Sequence, residues 1–396
     1  MAKNKTNFLT IIILTILLIF TACTEPADTT PSTDSVIPTT EIITAPTEAI
    51  PTSVMLFNKE ISLYVESLDL SWLTSSQIED AADILPRLTQ LKEVELVDSE
   101  GNSSLSFADV RELMDAAPEV TFKYNFELFD QQFSTTDERM EFDLIHIGNN
   151  GIEQIRSALD IMPNCTYLKI DRCGVDSEVM ASVREDYPNV KVAWRIFFGK
   201  FSCMTDDEML RLTNGLEDEH IDQLKYCNDV KYLDIGHDDK LTDISFVQYM
   251  PKLEIAIISG SLVEDLSPFQ DHQSIEFLEL CFCVNLKDIS PLANCPNLKF
   301  LNISFTGVKD ISATDTLPME RFVAMGQKLD ATTQAKFKEL HPDCMYRFEG
   351  KQCYGYAWRY DDYGYTFSKY YTNMREIFDY DDVGYYSGKG IYDVAY

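Results

Sequence analysis

The sequence predicts an α/β fold in which short parallel strands stack into a solenoid, with the sheet on one face and helices and turns on the other. Three observations carry this. Between Val230 and Ala313 four segments repeat at intervals of 22 to 23 residues. Ahead of them, two longer units of roughly 70 residues each repeat a pattern of amphipathic helix, proline and strand. After them the composition changes: the last 52 residues hold 13 of the 20 tyrosines.

The chain begins with Lys3 and Lys5, then a thirteen-residue run from Phe8 to Phe20 that is apolar except for Thr10 and Thr15. As a helix this run spans about 20 Å, short of the roughly 30 Å of bilayer hydrocarbon, so it reads as an export signal rather than a permanent span. The following Phe20-Thr21-Ala22-Cys23 resembles a bacterial lipobox, with Phe20 standing where Leu is usual. That resemblance implies removal of residues 1–22 and a lipid on Cys23. It places the protein on the extracytoplasmic face of the cell membrane, touching the membrane through its anchor alone. Residues 23–54 are rich in Thr, Ser and Ala and are broken by Pro26, Pro31, Pro38, Pro46 and Pro51. Prolines at this density exclude a helix or a central strand, and the segment lacks the aromatics of a core. It reads as a disordered tether, able to reach about 90 Å when extended.

Residues 55–226 are expected to form divergent, helix-bearing repeats. Phe107-x-x-Val110-x-x-Leu113 leads to Pro118 and then Val120-Thr-Phe122. Val179-x-x-x-Val183 leads to Pro188 and then Val190-Lys-Val192. Each is an amphipathic helix stopped by a proline and followed by a strand. Strand-like Leu91 to Leu96 and Cys165 to Ile170 precede them, and Leu68-Asp69-Leu70 and Phe142-Asp143-Leu144 lie further back. Residues 61–135 and 136–205 therefore read as two copies of one αβ unit, feeding the same sheet as the shorter repeats.

Residues 227–326 carry those shorter repeats. They begin Val230-x-x-Leu233-x-Ile235, Leu253-x-x-Ala256-x-Ile258, Ile275-x-x-Leu278-x-Leu280 and Leu298-x-x-Leu301-x-Ile303. Each continues to an Asp-Ile/Leu-Ser turn at Asp243, Asp265, Asp288 or Asp310, and the single-residue difference in length falls in the loop before it. One such unit cannot bury its apolar stripe alone; stacked side by side, the units bury it and build a parallel sheet. This pattern resembles the leucine-rich repeat, and the turn is similar to that of internalin-type repeats of bacterial surface proteins. The resemblance implies a concave sheet face, helices and turns on the convex face, and a binding role without catalysis.

Residues 327–396 are expected to cap the array. Ala335-Lys-Phe337 to Leu340, then Pro342 and Cys344-Met-Tyr346, repeat the helix–proline–strand pattern. Beyond them Trp358-Arg359, Tyr370-Tyr371 and Met374-Arg375-Glu376-x-Phe378 resemble the tails of clostridial leucine-rich repeat lipoproteins. An aromatic segment suits the closing of a final apolar face.

Charge and motifs exclude several chemistries. With 33 Lys and Arg against 65 Asp and Glu, the net charge is −32, which argues against nucleic acid. Cys281-Phe282-Cys283 lacks the second ligand pair of a zinc site, and the five histidines show no metal spacing. The run from Asp379 starts like a calcium loop, but Val383 and Gly390 occupy ligand positions. No nucleophile elbow or phosphate loop is present, so no catalytic residue, metal or cofactor is assigned. The cysteines sit at apolar repeat positions and read mostly as buried thiols, with Cys344 and Cys353 as the candidate disulfide.

Candidate site residues come from strand phase. Residues between the leucines point away from the core: Tyr232, Ile255, Phe277 and Phe300 at the third repeat position, Asp234, Ile257, Glu279 and Asn302 at the fifth. His237, Gly260, Phe282 and Phe305 follow at the eighth. An apolar column with polar neighbours is a candidate face for a protein or carbohydrate at the cell surface. Glu279, at an outward position, is expected to tolerate replacement at a cost under about 1 kcal/mol; if the face is open, Phe277 and Phe300 are exposed anchors. If the tail or a helix covers it, the same phenylalanines are an internal seam. A surface hydrolase with its site in the Tyr/Asp-rich C-terminal region, or a structural envelope spacer, are the alternative functions.

Overall fold

The computed structural model describes residues 52–350, 358–359 and 369–380. The expected export signal, Cys23, nearly all of the expected tether, Cys353 and the acidic pairs Asp361-Asp362 and Asp381-Asp382 lie outside the described residues. The chain enters as an antiparallel hairpin of β1 (Ser53–Leu56) and β2 (Lys59–Ser62). Ser53 and Val54, expected at the end of the tether, are therefore already strand, and Val54 is buried.

The first αβ unit follows: β3 (Ser67–Asp69), α1 (Ile78–Ile84), β4 (Glu93–Glu95), α2 (Phe107–Ala116) and β5 (Thr121–Lys123), then a hairpin of β6 (Asn125–Leu128) and β7 (Gln131–Ser134). The second has the same plan: β8 (Arg139–Asp143), α3 (Gly148–Leu159), β9 (Tyr167–Asp171), α4 (Ser177–Asp186) and β10 (Lys191–Phe198), with β11 (Phe201–Met204) returning antiparallel. Local chemistry explains the helices. Ser106 caps α2 by accepting the Asp109 amide, Val110 and Leu113 face the core, and the helix ends just before Pro118.

The expectation that these units feed one sheet is corrected. Strands β3, β4 and β5 form a parallel sheet of their own, and β8 to β11 form another. A hairpin follows the last parallel strand of each unit: β6–β7 pair only with each other, and β11 turns back on Arg195–Phe198, beyond the Lys191–Trp194 segment that pairs β9. Each unit hands over to the next through one buried threonine. The Thr135 amide donates to the Tyr124 carbonyl at 3.0 Å while its hydroxyl accepts the Tyr124 amide at 3.1 Å. Thr205 does the same to Trp194, seventy residues later, at 2.9 and 3.1 Å.

The third sheet has seven parallel strands in sequence order: β12 (Met209–Arg211), β13 (Tyr232–Asp234), β14 (Ile255–Ile257), β15 (Phe277–Glu279), β16 (Phe300–Asn302), β17 (Arg321–Val323) and β18 (Met345–Arg347). Their register stacks Tyr232, Ile255, Phe277, Phe300 and Arg321, and beside them Leu233, Ala256, Leu278, Leu301 and Phe322. The second row is fully buried in the main core. Helix α5 (Ala331–Leu340) links β17 to β18, and α6 (Lys369–Ile377) follows.

The Asp-x-Ser turns also have a physical role. The Asp243, Asp265, Asp288 and Asp310 carboxylates each accept the backbone amide two residues on, at 2.6 to 2.8 Å. Each bond satisfies an amide at the start of a short 3-10 turn that reverses the chain behind the sheet. For Asp310 this amide holds the carboxyl below its ordinary range.

Candidate functional site

Strand alternation sends the third- and fifth-position side chains to the side of the seven-stranded sheet opposite its leucine core. The structure brings all eight together there, but the face is not open. Phe277, Phe300, Asp234, Ile257, Glu279 and Asn302 are buried, while Tyr232 and Ile255 are half-buried. The tail covers them, as one of the two expected arrangements has it. Trp358, Met374 and Phe378 join Ile257, Phe277, Phe300, Val323 and Met325 in a second apolar cluster. The Trp358 and Phe277 ring centroids are 4.7 Å apart, and those of Phe277 and Phe300 are 6.0 Å apart.

Glu279 is the polar centre of this seam and is only 1% exposed, which corrects the expectation of a solvated outward carboxylate. An unpaired buried carboxylate costs several kcal/mol, so every lone pair must find a donor. The tail supplies two. Trp358 Nε1 donates to Oε2, and Arg359 donates to Oε1 at 3.0 Å. Ser259 on the neighbouring repeat donates to Oε1 at 2.9 Å. Arg321 secures the same tail turn by donating to the Trp358 carbonyl at 3.0 Å.

Asp234, two repeats away, holds the tail at Tyr380. The Tyr380 hydroxyl donates to its Oδ2, and the Gly236 amide to its Oδ1 at 3.0 Å. Burial pushes the Asp234 carboxyl above its ordinary range, and these two donors pull against that. Arg211 lies 4.8 Å from the centre of the Tyr380 ring and donates to the Phe378 carbonyl. Sequence reasoning missed Arg211, Trp358, Arg359 and Tyr380 as partners of the face. The readable signal was two carboxylates, Asp234 and Glu279, set in strands that are otherwise apolar.

At the strand ends the eighth-position residues form a ledge. Asn214, His237, Gly260, Phe282, Phe305 and Gly326 all have left-handed backbone, with φ between 57° and 87°. Glycine takes this conformation freely; a bulky residue pays about 1–2 kcal/mol. Phe282 and Phe305 accept that cost and stack in parallel with centroids 4.8 Å apart. Phe282 is 40% exposed, so the ledge is the part of the expected face that reaches water most openly.

Beside the ledge, Asp238 is buried. Its Oδ1 accepts the Leu216 amide at 3.0 Å and also that of Gly215, while Oδ2 has no hydrogen-bond partner among the described residues. Burial pushes this carboxyl up to about 7. Between about pH 4 and pH 7 the unfolded chain has released this proton and the folded chain has kept it. Stability contributed by Asp238 is therefore present below about pH 4 and lost as pH rises to about 7. Asp238→Asn keeps an acceptor for both amides and removes the titration. The variant is expected to be about 1–3 kcal/mol more stable than the parent at pH 8 and no more stable at pH 4. Urea denaturation at the two pH values checks this, and an equal shift at both would refute it.

Where α6 crosses the sheet, a cleft of about 310 Å³ remains, lined by Tyr232, Ile255, Phe277, Phe300, Met374 and Ile377, with Glu254 and Glu276 at its rim. Two larger clefts lie elsewhere. One of about 590 Å³ runs along the turns, where Asp243 and Asp265 are committed to turn amides. One of about 400 Å³ lies beyond β9 and β10. Its lining residue Arg195 donates to buried Asp171 through two bonds of 2.6 and 2.9 Å. Among the described residues, no group of three or more His, Cys, Asp or Glu is placed to hold a metal ion. No helix among them is long and apolar enough to cross a membrane.

No family profile and no curated protein matches this chain. Among solved structures it is similar to two internalins of Listeria monocytogenes. One, InlF, is 17% identical over 69% of this chain and 84% of that one, with a TM-score of 0.33. The other, InlC2, is 23% identical over 35% of this chain and 69% of that one, with a TM-score of 0.27.

Proposed function

We propose that this chain is a lipid-anchored, extracytoplasmic binding protein whose leucine-rich repeat solenoid recognises a protein partner at the cell surface. The observation that supports this reading most is the cleft between the sheet and α6. Its floor is the apolar column Tyr232, Ile255, Phe277 and Phe300, and its rim is acidic at Glu254 and Glu276. An apolar floor with a charged rim is the anatomy of a protein-recognition patch. The tail supplies an internal example of what the face accepts: an aromatic ring beside a guanidinium, held by Glu279. A partner presenting an aromatic or aliphatic anchor beside Lys or Arg fits the cleft by the same chemistry.

Two measurements test the reading. Metabolic labelling with a fatty-acid analogue is expected to mark the parent and leave Cys23→Ala unlabelled; equal labelling removes the anchor. A photo-crosslinking residue at Ile255, illuminated on intact cells, is expected to yield a discrete protein adduct. Glu254→Lys with Glu276→Lys should abolish that adduct, because reversing the rim charges sets them against the partner. An adduct indifferent to the rim, or one to glycan alone, overturns the protein-binding reading.

A further inference from the structure

Eight cysteines are described, and all are buried. Six of them donate their sulfur proton to oxygen: Cys165, Cys173, Cys281, Cys283, Cys295 and Cys344. Cys203 and Cys227 are different. Their sulfurs lie 3.8 Å apart, each the other's partner, and both side chains are fully buried. Cys203 stands on β11 opposite Ile196, in the second αβ unit. Cys227 closes the 3-10 segment Asp218–Tyr226, where the chain turns into the first short repeat. The two thiols thus meet at the junction of two separate sheets.

We propose that Cys203 and Cys227 are joined by a disulfide in the exported protein, clamping the second αβ unit to the repeat sheet. The proposal rests on the extracytoplasmic reading, because disulfides persist in oxidising compartments. Sulfurs at 3.8 Å are less than about 2 Å beyond the bonding distance of about 2.05 Å. Each of the other six described thiols has an oxygen acceptor, whereas Cys203 and Cys227 have each other's sulfur. The bond forms by exchange with an external disulfide, small-molecule or enzymatic. One cysteine thiolate attacks it, releasing one thiolate of the oxidant and leaving a mixed disulfide. The second cysteine thiolate then displaces the other half. Two protein thiols lose two electrons and two protons, and the oxidant's disulfide becomes two thiols. The hydrogen bond to Cys227, together with burial, holds the Cys203 thiol well above its ordinary range, so the exchange belongs to folding, before the junction closes.

The test uses the full chain expressed with its own export signal. Membranes are denatured with an alkylating agent and no reductant, then digested with trypsin for mass mapping. The expected product is residues 201–211 joined to residues 226–231, resolved into two alkylated peptides only after reduction. Cys165 and Cys295 are expected to be alkylated without reduction. Reduction should lower the Tm by about 5 °C, and Cys203→Ser should match the reduced parent. A second arm refolds the full chain in oxidised glutathione. If Cys203 and Cys227 are alkylated in both arms, the pairing is wrong. If they are alkylated from cells but joined after refolding, the pairing stands and the extracytoplasmic reading falls.

Discussion

Replacing Glu279 with Ala is expected to release the C-terminal tail from the repeat sheet. The substitution leaves Arg359, whose side chain is 8% exposed, buried without its carboxylate. It also removes the acceptor of Trp358 Nε1. Removing one partner of a buried ion pair typically costs about 3–5 kcal/mol, far more than trimming an exposed carboxylate. The tail follows the last strand of the sheet, so the chain escapes this penalty by undocking while the leucine core stays intact. Amide hydrogen exchange across 369–380 should accelerate by roughly 10²–10³-fold, and the double substitution with Arg359→Ala should be milder than the sum of the two singles. Unchanged exchange in Glu279→Ala, with a stability loss below about 1 kcal/mol, would sink the latch.

The second large effect separates the two faces of one strand. Leu301→Ala empties a position with no exposure in the main core and is expected to cost about 2–5 kcal/mol, read as a drop in the global melt. Its neighbour Phe300 faces the other way, into the seam with Phe277, and is 7% exposed. Phe300→Ala is expected to cost about 3–5 kcal/mol, felt first as tail exchange and only then as global unfolding. If Phe300→Ala left stability unchanged, the column would be open to solvent and the seam account wrong.

Much of the architecture was legible because its causes are local and recur. The strand phase at Leu233, Ala256, Leu278 and Leu301 follows from apolar alternation, and all four are buried in the core. The Asp-x-Ser signature marks its turns because a carboxylate two residues before an amide caps it in any context. The hairpins were missed. The β10–β11 turn does carry the usual glycine, Gly199 at φ 58°, but the other two place Phe57 and Phe129 at φ of 53° and 51°, where Asn or Gly is the usual signal. Packing overrode that preference, since both rings are partly buried against the core. Without the hairpins the αβ units read as continuous with the repeats, and the break into separate sheets was missed.

The sequence by itself determined the repeat period, the parallel register of its strands, and which side chains gather on each side of the sheet. These need only neighbours within about one repeat. Whether the gathered face meets water or protein was decided by the tertiary structure alone. Glu279 and Arg359 are 80 residues apart, and Asp234 and Tyr380 are 146 apart. An acidic residue in an outward strand position is compatible with solvent or with a distant guanidinium, and no periodicity distinguishes the two. The choice is made when the tail's aromatic area, once buried on the column, carries its arginine to the one carboxylate that can neutralise it, because burial without that partner is too costly to persist.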